Sequence, residues 1–200
     1  MFVRINSASG VKDFDVAVAM LKEKVLPALE SNKGFRGLTA SGNTETGDFA
    51  VLSLWETEED LDASESAVTG LREETMETAG GSVTVTKMEQ IAGAVGDTPP
   101  APGCLLRIVS VKMDPARVDE QAEFFRSQVL PGIKASPGFR GARNMIDRKT
   151  GIGNVGTIWA DEESLKANEK DADERRERAR AQGVELGEPQ YRTILFTHLR

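Results

Sequence analysis

Apolar and polar residues alternate along several short segments of the chain, which is typical of β-strands with one buried face. Phe2–Ser9 has this pattern, and Phe49–Trp55 and Val83–Ile91 are predicted to be further strands. Phe35–Gly42 alternates more weakly and is followed by a turn rich in Asn, Thr and Gly. The first half of the chain therefore predicts four strands.

Two helices are predicted between these strands. Asp13 can cap a helix that runs to about Ser31 with apolar residues on one stripe, and Pro27 inside it predicts a kink or break. Thr57 begins a second helix with acidic residues in its first turn, and this helix ends near Gly80. The resulting order, βαββαβ, is that of the ferredoxin-like unit.

The second half of the chain repeats the first. From Val25 to Glu65, equivalent residues lie 104 positions apart without a gap, among them Pro27 and Pro131, Trp55 and Trp159, and the segments Gly34–Gly37 and Gly138–Gly141. A constant separation across such rare residues indicates an internal duplication. We therefore predict a first unit over residues 1–92, a proline-rich linker over 93–103 and a second unit over 104–200.

The predicted fold class is α+β, with two ferredoxin-like βαββαβ units in tandem. A four-stranded antiparallel sheet with both helices on one side leaves its other face uncovered, and a second copy can cover it. We therefore expect the two sheets to pack face to face as an intramolecular pseudo-dimeric α+β barrel, in a monomer with an internal pseudo-two-fold axis or a homodimer of such chains. The alternative is two separate units that each pair with another molecule.

Composition narrows the functional classes. The 200 residues carry a formal charge of −7, which argues against nucleic acid as a partner. No apolar run is long enough to span a membrane, and the N-terminus lacks the shape of a signal peptide. The single cysteine, Cys104, excludes an internal disulfide and suits a reducing compartment. We expect a cytoplasmic protein with no nucleic-acid or membrane partner.

Several motifs resemble those of the antibiotic biosynthesis monooxygenase (ABM) family of the dimeric α+β barrel superfamily. They are the first strand, the segment Gly34–Gly37, and a strand that ends in Trp55 before an acidic helix start; the second copy keeps Pro137–Gly141 and Trp159. Because these motifs are structural, we interpret both tryptophans as core residues. The resemblance implies one of several activities: oxygenation of polycyclic phenols without metal or flavin, haem cleavage, or no known reaction.

The haem-cleaving members are a poor match. They have an Asn on the first strand, which Asn6 matches, but they also need a Trp and a His on the second helix. The corresponding segments, residues 62–75 and 163–182, contain neither. On the first strand the separation of equivalent residues is 103, so Asn6 itself becomes Val109 in the second copy. We therefore expect no cofactor and no metal.

Five residues are candidates for binding a small hydrophobic or phenolic ligand: Arg4, Asn6, Arg107, Arg143 and Tyr191. Alternation places Arg4 and Asn6 on one face of the first strand. If the face towards the helices is purely apolar, Arg4 and its counterpart Arg107 point into the space between the sheets, where they could bind an acidic or phenolate group. The alternative is that each arginine pairs with a nearby carboxylate.

Other chemically suggestive residues have simpler interpretations. His198, the only histidine, lies near the end of the last strand and has no neighbouring ligand set, so we interpret it as a strand-edge residue rather than a base or metal ligand. The run Glu174–Arg180 mixes acidic and basic residues and is interpreted as a solvated helix face.

The sequence identifies no catalytic residue. The resemblance favours a cofactor-independent monooxygenase that acts on a small aromatic or polyketide-like substrate in the inter-sheet cavity. The alternative is a non-catalytic barrel that binds a small molecule or has a structural role, because a fold does not determine a reaction.

Overall fold

The alternating segments form strands, and the order β–α–β–β–α–β occurs twice along the chain. The structure, a computed structural model, describes residues 1–200 except Lys170. Two units result: Met1–Lys87 together with Ile194–Arg200, and Met88–Thr193. The boundaries suggested by the repeat, 1–92 and 104–200 with a linker between them, stay a prediction. None of the described helices is long and apolar enough to cross a membrane.

The first unit has an antiparallel sheet in the order β4–β1–β3–β2–β9. Its strands are β1 (Phe2–Ser9), β2 (Phe35–Asn43), β3 (Asp48–Trp55), the first residues of β4 (Ser82–Val95) and the last residues of β9 (Gln190–Leu199). Both β1 and β2 pair with β3, and Phe2 and Phe35 both lie opposite Trp55. This pairing brings Arg4 and Asn6 to the middle of the sheet.

The helices of the first unit are α1 (Phe14–Met20), α2 (Leu26–Glu30), α3 (Glu58–Ala63) and α4 (Glu65–Ala79). The kink predicted at Pro27 is present as a π-helical turn, Leu21–Val25, between α1 and α2. Proline has no N–H and clashes with the preceding turn, so the wider turn accommodates it. As predicted, Asp13 caps α1, since its carboxylate accepts from Val16 N, and Thr57 caps α3 by accepting from Asp60 N.

The second unit has the sheet order β9–β5–β7–β6–β4, with a short strand β8 beside β5. Its own strands are β5 (Leu105–Lys112), β6 (Phe139–Asp147), β7 (Ile152–Trp159) and β8 (Glu185–Leu186). Its helices are α5 (Val118–Phe124), α6 (Leu130–Ala135), α7 (Glu162–Ala167) and α8 (Glu169–Ala181), with a 3₁₀ turn at Pro115–Arg117 and a second π-helical turn at Phe125–Val129. The π turn thus precedes the proline in both copies.

The first unit has one buried apolar cluster and the second has two, and each unit buries one tryptophan. Trp55 packs with Phe35, Leu38 and Leu61 in the first unit. Trp159 packs with Phe139 and Leu165 in the second. Both indoles are fully buried, and each donates its N–H to the hydroxyl two residues earlier, Ser53 or Thr157, at 3.0 Å. The interpretation of the tryptophans as core residues is confirmed.

Candidate functional site

In the first unit, two arginines share one carboxylate between the sheet and the helices. Glu65, at the start of α4, lies 3.0 Å from Arg4 Nη2 through Oε2 and accepts from Arg72 Nη1 through Oε1 at 2.9 Å. Arg72 Nε also donates to Asn6 Oδ1 at 2.7 Å. Arg4, Glu65 and Arg72, which we call the first-unit triad, carry a formal charge of +1.

Arg4 is the most deeply buried member of this triad, with 1% of its surface exposed. Its Nη2 donates to the carbonyl of Leu61 at 2.5 Å, and its guanidinium lies 5.9 Å from the centre of the Trp55 ring. Nε and Nη1 are buried and have no hydrogen-bond partner among the described residues. Burial, followed by repulsion from Arg72, lowers the pKa of Arg4 despite the attraction of Glu65.

The second unit repeats the triad with Arg107, Glu169 and Arg176. Glu169 accepts from Arg107 Nη1 at 2.8 Å and from Arg176 Nη2 at 2.9 Å. Arg107 lies 5.8 Å from the Trp159 ring centre, so the aromatic contact is repeated as well. Glu169 and Arg176 follow Glu65 and Arg72 by 104 residues, the same separation as in the predicted repeat.

The carboxylate of each triad is held in its charged form. Burial alone would raise the pKa of Glu65, but the hydrogen bond from Arg72 and the charges of Arg4 and Arg72 outweigh it, so the pKa is lowered. The pKa of Glu169 is lowered in the same way: burial is outweighed by the hydrogen bond from Arg176 and the charge of Arg107. A buried arginine therefore has a charged partner in both units.

A cavity adjoins each triad, between the sheet and the helices of the same unit. In the first unit the volume open to the centre of a water molecule is about 60 Å³; Arg4, Asn6 and Phe49 line it from the sheet, and Ala17, Val68 and Arg72 from the helices. In the second unit this volume is about 110 Å³, with Arg107, Asn144 and Val155 on the sheet side and Gln121, Ala172 and Arg175 on the helix side. One water needs about 10–15 Å³ by this measure, so both cavities have room for several waters, and the second has nearly twice the room of the first.

One substitution between the copies fits the difference in size. Val68 lines the first cavity where the smaller Ala172 lines the second. Phe49 also lines the first cavity, whereas its equivalent, Gly153, lies against Met145 and Ile146 and does not line the second.

The structure corrects the predicted direction of Arg4 and Arg107. Both were expected to point away from the helices, into an inter-sheet space, but both contact helix residues and line the helix-side cavities. The prediction assumed that the helix-facing side is purely apolar. Glu65 and Glu169 supply a carboxylate there, so the arginines can be buried on that side. The alternative, in which each arginine pairs with a nearby carboxylate, is what the structure has.

The other three candidate residues lie in different places. Asn6 lies beside Arg4 in the first cavity. Tyr191 lies directly opposite Arg107 in the pairing of β9 with β5, so the two share a face; burial and the charge of Glu169 raise the pKa of its hydroxyl. Arg143 precedes the cavity-lining Asn144 on β6 and therefore lies on the opposite face, where its Nη1 donates to Gln90 Oε1.

The run Glu174–Arg180 was interpreted as solvated, and this is wrong for two of its members. Glu174, Glu177 and Arg178 are exposed, but Arg175 is buried and Arg176 half-buried, and both line the second cavity. Ala172 and Ala179 mark the inward stripe of α8, and Arg175 and Arg176 fall between them at helical spacing. Two sequence signals could have identified these arginines as cavity residues. One is this helical spacing, and the other is the 104-residue separation of Arg72 and Arg176.

His198 and Cys104 have local structural contacts. His198 Nε2 lies 2.9 Å from Glu30 Oε1, off the angle of a hydrogen bond, and its ring stacks on Phe35. Cys104 is buried just before β5. Among the described residues, no group of three or more His, Cys, Asp or Glu side chains could hold a metal ion.

Comparison with known proteins gives relatives of similar sequence and neighbours of similar fold. An uncharacterized protein of Mycobacterium tuberculosis (strain ATCC 25618 / H37Rv) is 34% identical over 137 residues, which are 68% of this chain and 61% of the relative. A second uncharacterized protein of that strain is 28% identical over 93% of this chain and 79% of its own length. The chain thus spans less than two thirds of the first relative. No protein-family model matches it.

Solved structures match almost the whole chain. A monooxygenase candidate from Lactobacillus acidophilus NCFM has a TM-score of 0.71 at 11% identity and covers 99% of this chain and 96% of its own. An anthrone oxidase-like protein has a TM-score of 0.64 at 14% identity, covering 99% and 93%. The chain shares the fold of these proteins. A ferredoxin-fold protein from Listeria monocytogenes 4b F2365, related to antibiotic biosynthesis monooxygenases, matches at a TM-score of 0.54 and 9% identity over 98% and 95%. These likenesses support the predicted resemblance at the level of fold.

Proposed function

We propose that this protein is a tandem ABM-type, cofactor-independent monooxygenase acting on a small aromatic or polyketide-like substrate. The observation that carries the proposal is the second-unit cavity, an apolar space of about 110 Å³ that adjoins buried arginines. The anthrone oxidase-like neighbour supports this reaction class. The proposed site is the helix-side cavity rather than an inter-sheet one, and the face-to-face packing of the two sheets stays a prediction.

The arginines supply the chemistry that such a substrate needs. A guanidinium beside a phenol favours the phenolate and so lowers its pKa, and an electron-rich phenolate can transfer an electron to oxygen. For an anthrone-type substrate, the methylene carbon loses two hydrogens and gains one oxygen atom as a carbonyl. The second oxygen atom leaves as water with those hydrogens, so the substrate supplies all the electrons. The chain's part is to orient the ring and stabilise the anion.

For the first unit, a non-catalytic role is favoured by a specific observation. Its triad is closed by Glu65 and Asn6, and Phe49 and Val68 reduce the cavity to about 60 Å³. Buried ion pairs of this kind can specify one packing arrangement of helix against sheet. We propose that the first-unit triad is structural and that turnover belongs to the second unit.

Oxygen uptake tests the proposal. The purified chain, free of flavin and treated with chelator, is presented with anthrones, naphthols and hydroquinones; uptake that needs folded protein is expected. Ala172→Leu should fill the second cavity and abolish uptake, whereas Val68→Leu, the equivalent change in the first unit, should leave it unchanged. Circular dichroism confirms that both variants fold. Equal uptake in the two variants would contradict the assignment to the second cavity, and no uptake by the wild type would favour the non-catalytic alternative.

A further inference from the structure

The second cavity contains three buried polar side chains that the first cavity lacks. Equivalent positions carry apolar residues in the first copy: Gln121 replaces Ala17, Asn144 replaces Ala40, and Arg175 replaces Leu71. All three polar residues are less than one tenth exposed and line the second cavity. Divergence after duplication has therefore made this cavity both wider and more polar.

Arg175 is a buried cation that no described carboxylate contacts in an ion pair. It makes one hydrogen bond, from Nη2 to Asn168 Oδ1 at 2.9 Å. A guanidinium has five N–H donors, so further donors can bind a molecule in the cavity. Burial, followed by repulsion from Arg107, lowers the pKa of Arg175 despite the attraction of Asp171. A buried charge in this situation is stabilised when a negative group binds beside it.

Asn144 is a second unpartnered polar group at the same cavity. It is 4% exposed, and its Oδ1 has no hydrogen-bond partner among the described residues. Whichever way its amide is turned, it offers a hydrogen-bonding group that the protein leaves unused. Buried amides are normally paired, so a bound molecule is the natural partner.

Apart from Arg107, Thr157 and Arg176, the rest of the lining is apolar and suits a ring. Phe125, Val155 and Leu186 are among the residues that surround the polar groups. We infer that the second cavity, but not the first, binds a small aromatic carboxylate whose carboxylate group contacts Arg175 and whose ring hydroxyl bonds to Asn144. This inference deepens the proposed function and rests on the same cavity, but it concerns binding and needs no turnover.

Calorimetric titration of the full chain tests the inference with three probes: 2-hydroxybenzoate, benzoate and the neutral benzamide. One 2-hydroxybenzoate is expected to bind per chain, and benzamide at least about tenfold more weakly, because the charge-assisted bond is lost. Arg175→Leu, which restores the residue of the first copy, should weaken carboxylate binding at least about tenfold. Arg178→Leu removes an exposed charge from the same helix and should leave binding unchanged.

Asn144→Ala also restores the residue of the first copy and should weaken binding of 2-hydroxybenzoate while leaving benzoate unaffected. If Arg175→Leu does not fold, Asn144→Ala and Ala172→Leu test the inference in its place. No binding of either carboxylate at millimolar concentration, equal binding by Arg175→Leu and wild type, or two sites per chain would overturn the inference. If the protein takes up oxygen with neutral phenols but binds no carboxylate, this inference alone is overturned. If it binds the carboxylates but takes up oxygen with no substrate, the proposed function alone is overturned.

Discussion

Replacing Glu65 by Gln tests whether the first-unit triad holds α4 on the sheet. The change keeps the shape of the side chain but removes the negative charge between Arg4 and Arg72. Arg4 then keeps only the Leu61 carbonyl and the Trp55 ring, with Nε and Nη1 already unpartnered. Two neighbouring cations would face each other without an intervening anion, and the fold should be destabilised.

The size of the effect follows from burial. Removing one partner of a fully buried ion pair costs about 3–5 kcal/mol, because the other charge is left uncompensated. The Glu65 side chain is 35% exposed, so water screens part of the loss. We therefore expect Glu65→Gln to lower the free energy of unfolding by about 2–3 kcal/mol. For a chain of this size that moves the urea midpoint by about 1 M.

Urea unfolding followed by circular dichroism measures this shift, and Glu59→Gln is the matched control. Glu59 lies on the exposed side of α3 in the same unit, so its replacement should change the free energy of unfolding by no more than about 0.5 kcal/mol. A double variant, Arg4→Met with Glu65→Gln, should recover part of the loss because the buried charge is gone. The reasoning would be refuted if Glu65→Gln and Glu59→Gln unfolded at the same urea concentration.

Three further predictions test other parts of the structure. The pKa of Glu169 is lowered in the fold, so its contribution to stability is complete above its ordinary value of 4.5 and is lost as the pH falls through the lowered folded value. Glu169→Gln should therefore flatten the fall of the urea midpoint on acidification; an unchanged slope would contradict this. Thr57→Ala removes the side-chain oxygen that accepts from Asp60 N and should lower the free energy of unfolding by about 1 kcal/mol, measured by thermal unfolding. A loss of stability smaller than that of a surface variant would contradict the role of Thr57 as a cap. Ile194→Ala truncates a fully buried residue of β9 and should cost about 2–5 kcal/mol, whereas Val85→Ala at an exposed site should cost much less.

Much of the secondary structure could be read from local pattern. Phe2–Ser9 is a strand with the predicted ends. Asp13 and Thr57 cap helices because their side-chain oxygens satisfy backbone N–H groups within the next three residues. Strand patterns and helix caps can be predicted from the sequence because they depend on residues that are close together along the chain.

The site was recovered only in part, and the errors have one cause. Alternation correctly placed Arg4 and Asn6 on one face of β1, but it does not say which face the helices cover. That choice depended on Glu65, which is 61 residues away from Arg4 and was not recognised as its partner. For the same reason, the burial of Arg175 could not be predicted. It depends on where α8 packs against the sheet, whereas the neighbouring residues in the sequence are charged and suggest an exposed position.

The sequence by itself determined the alternation of strands and helices, the caps and the buried tryptophans, and it predicts the duplication. The confirmed features follow from residue spacing and from hydrogen bonds between near neighbours, which act the same way wherever the segment lies. Only the tertiary structure decided that the arginines face the helices, that each triad adjoins a cavity, and that the larger second cavity is lined by Arg175, which bonds to Asn168 and to no described carboxylate. Burial of a charge depends on which distant side chains come within a few ångströms of it, and packing alone determines that.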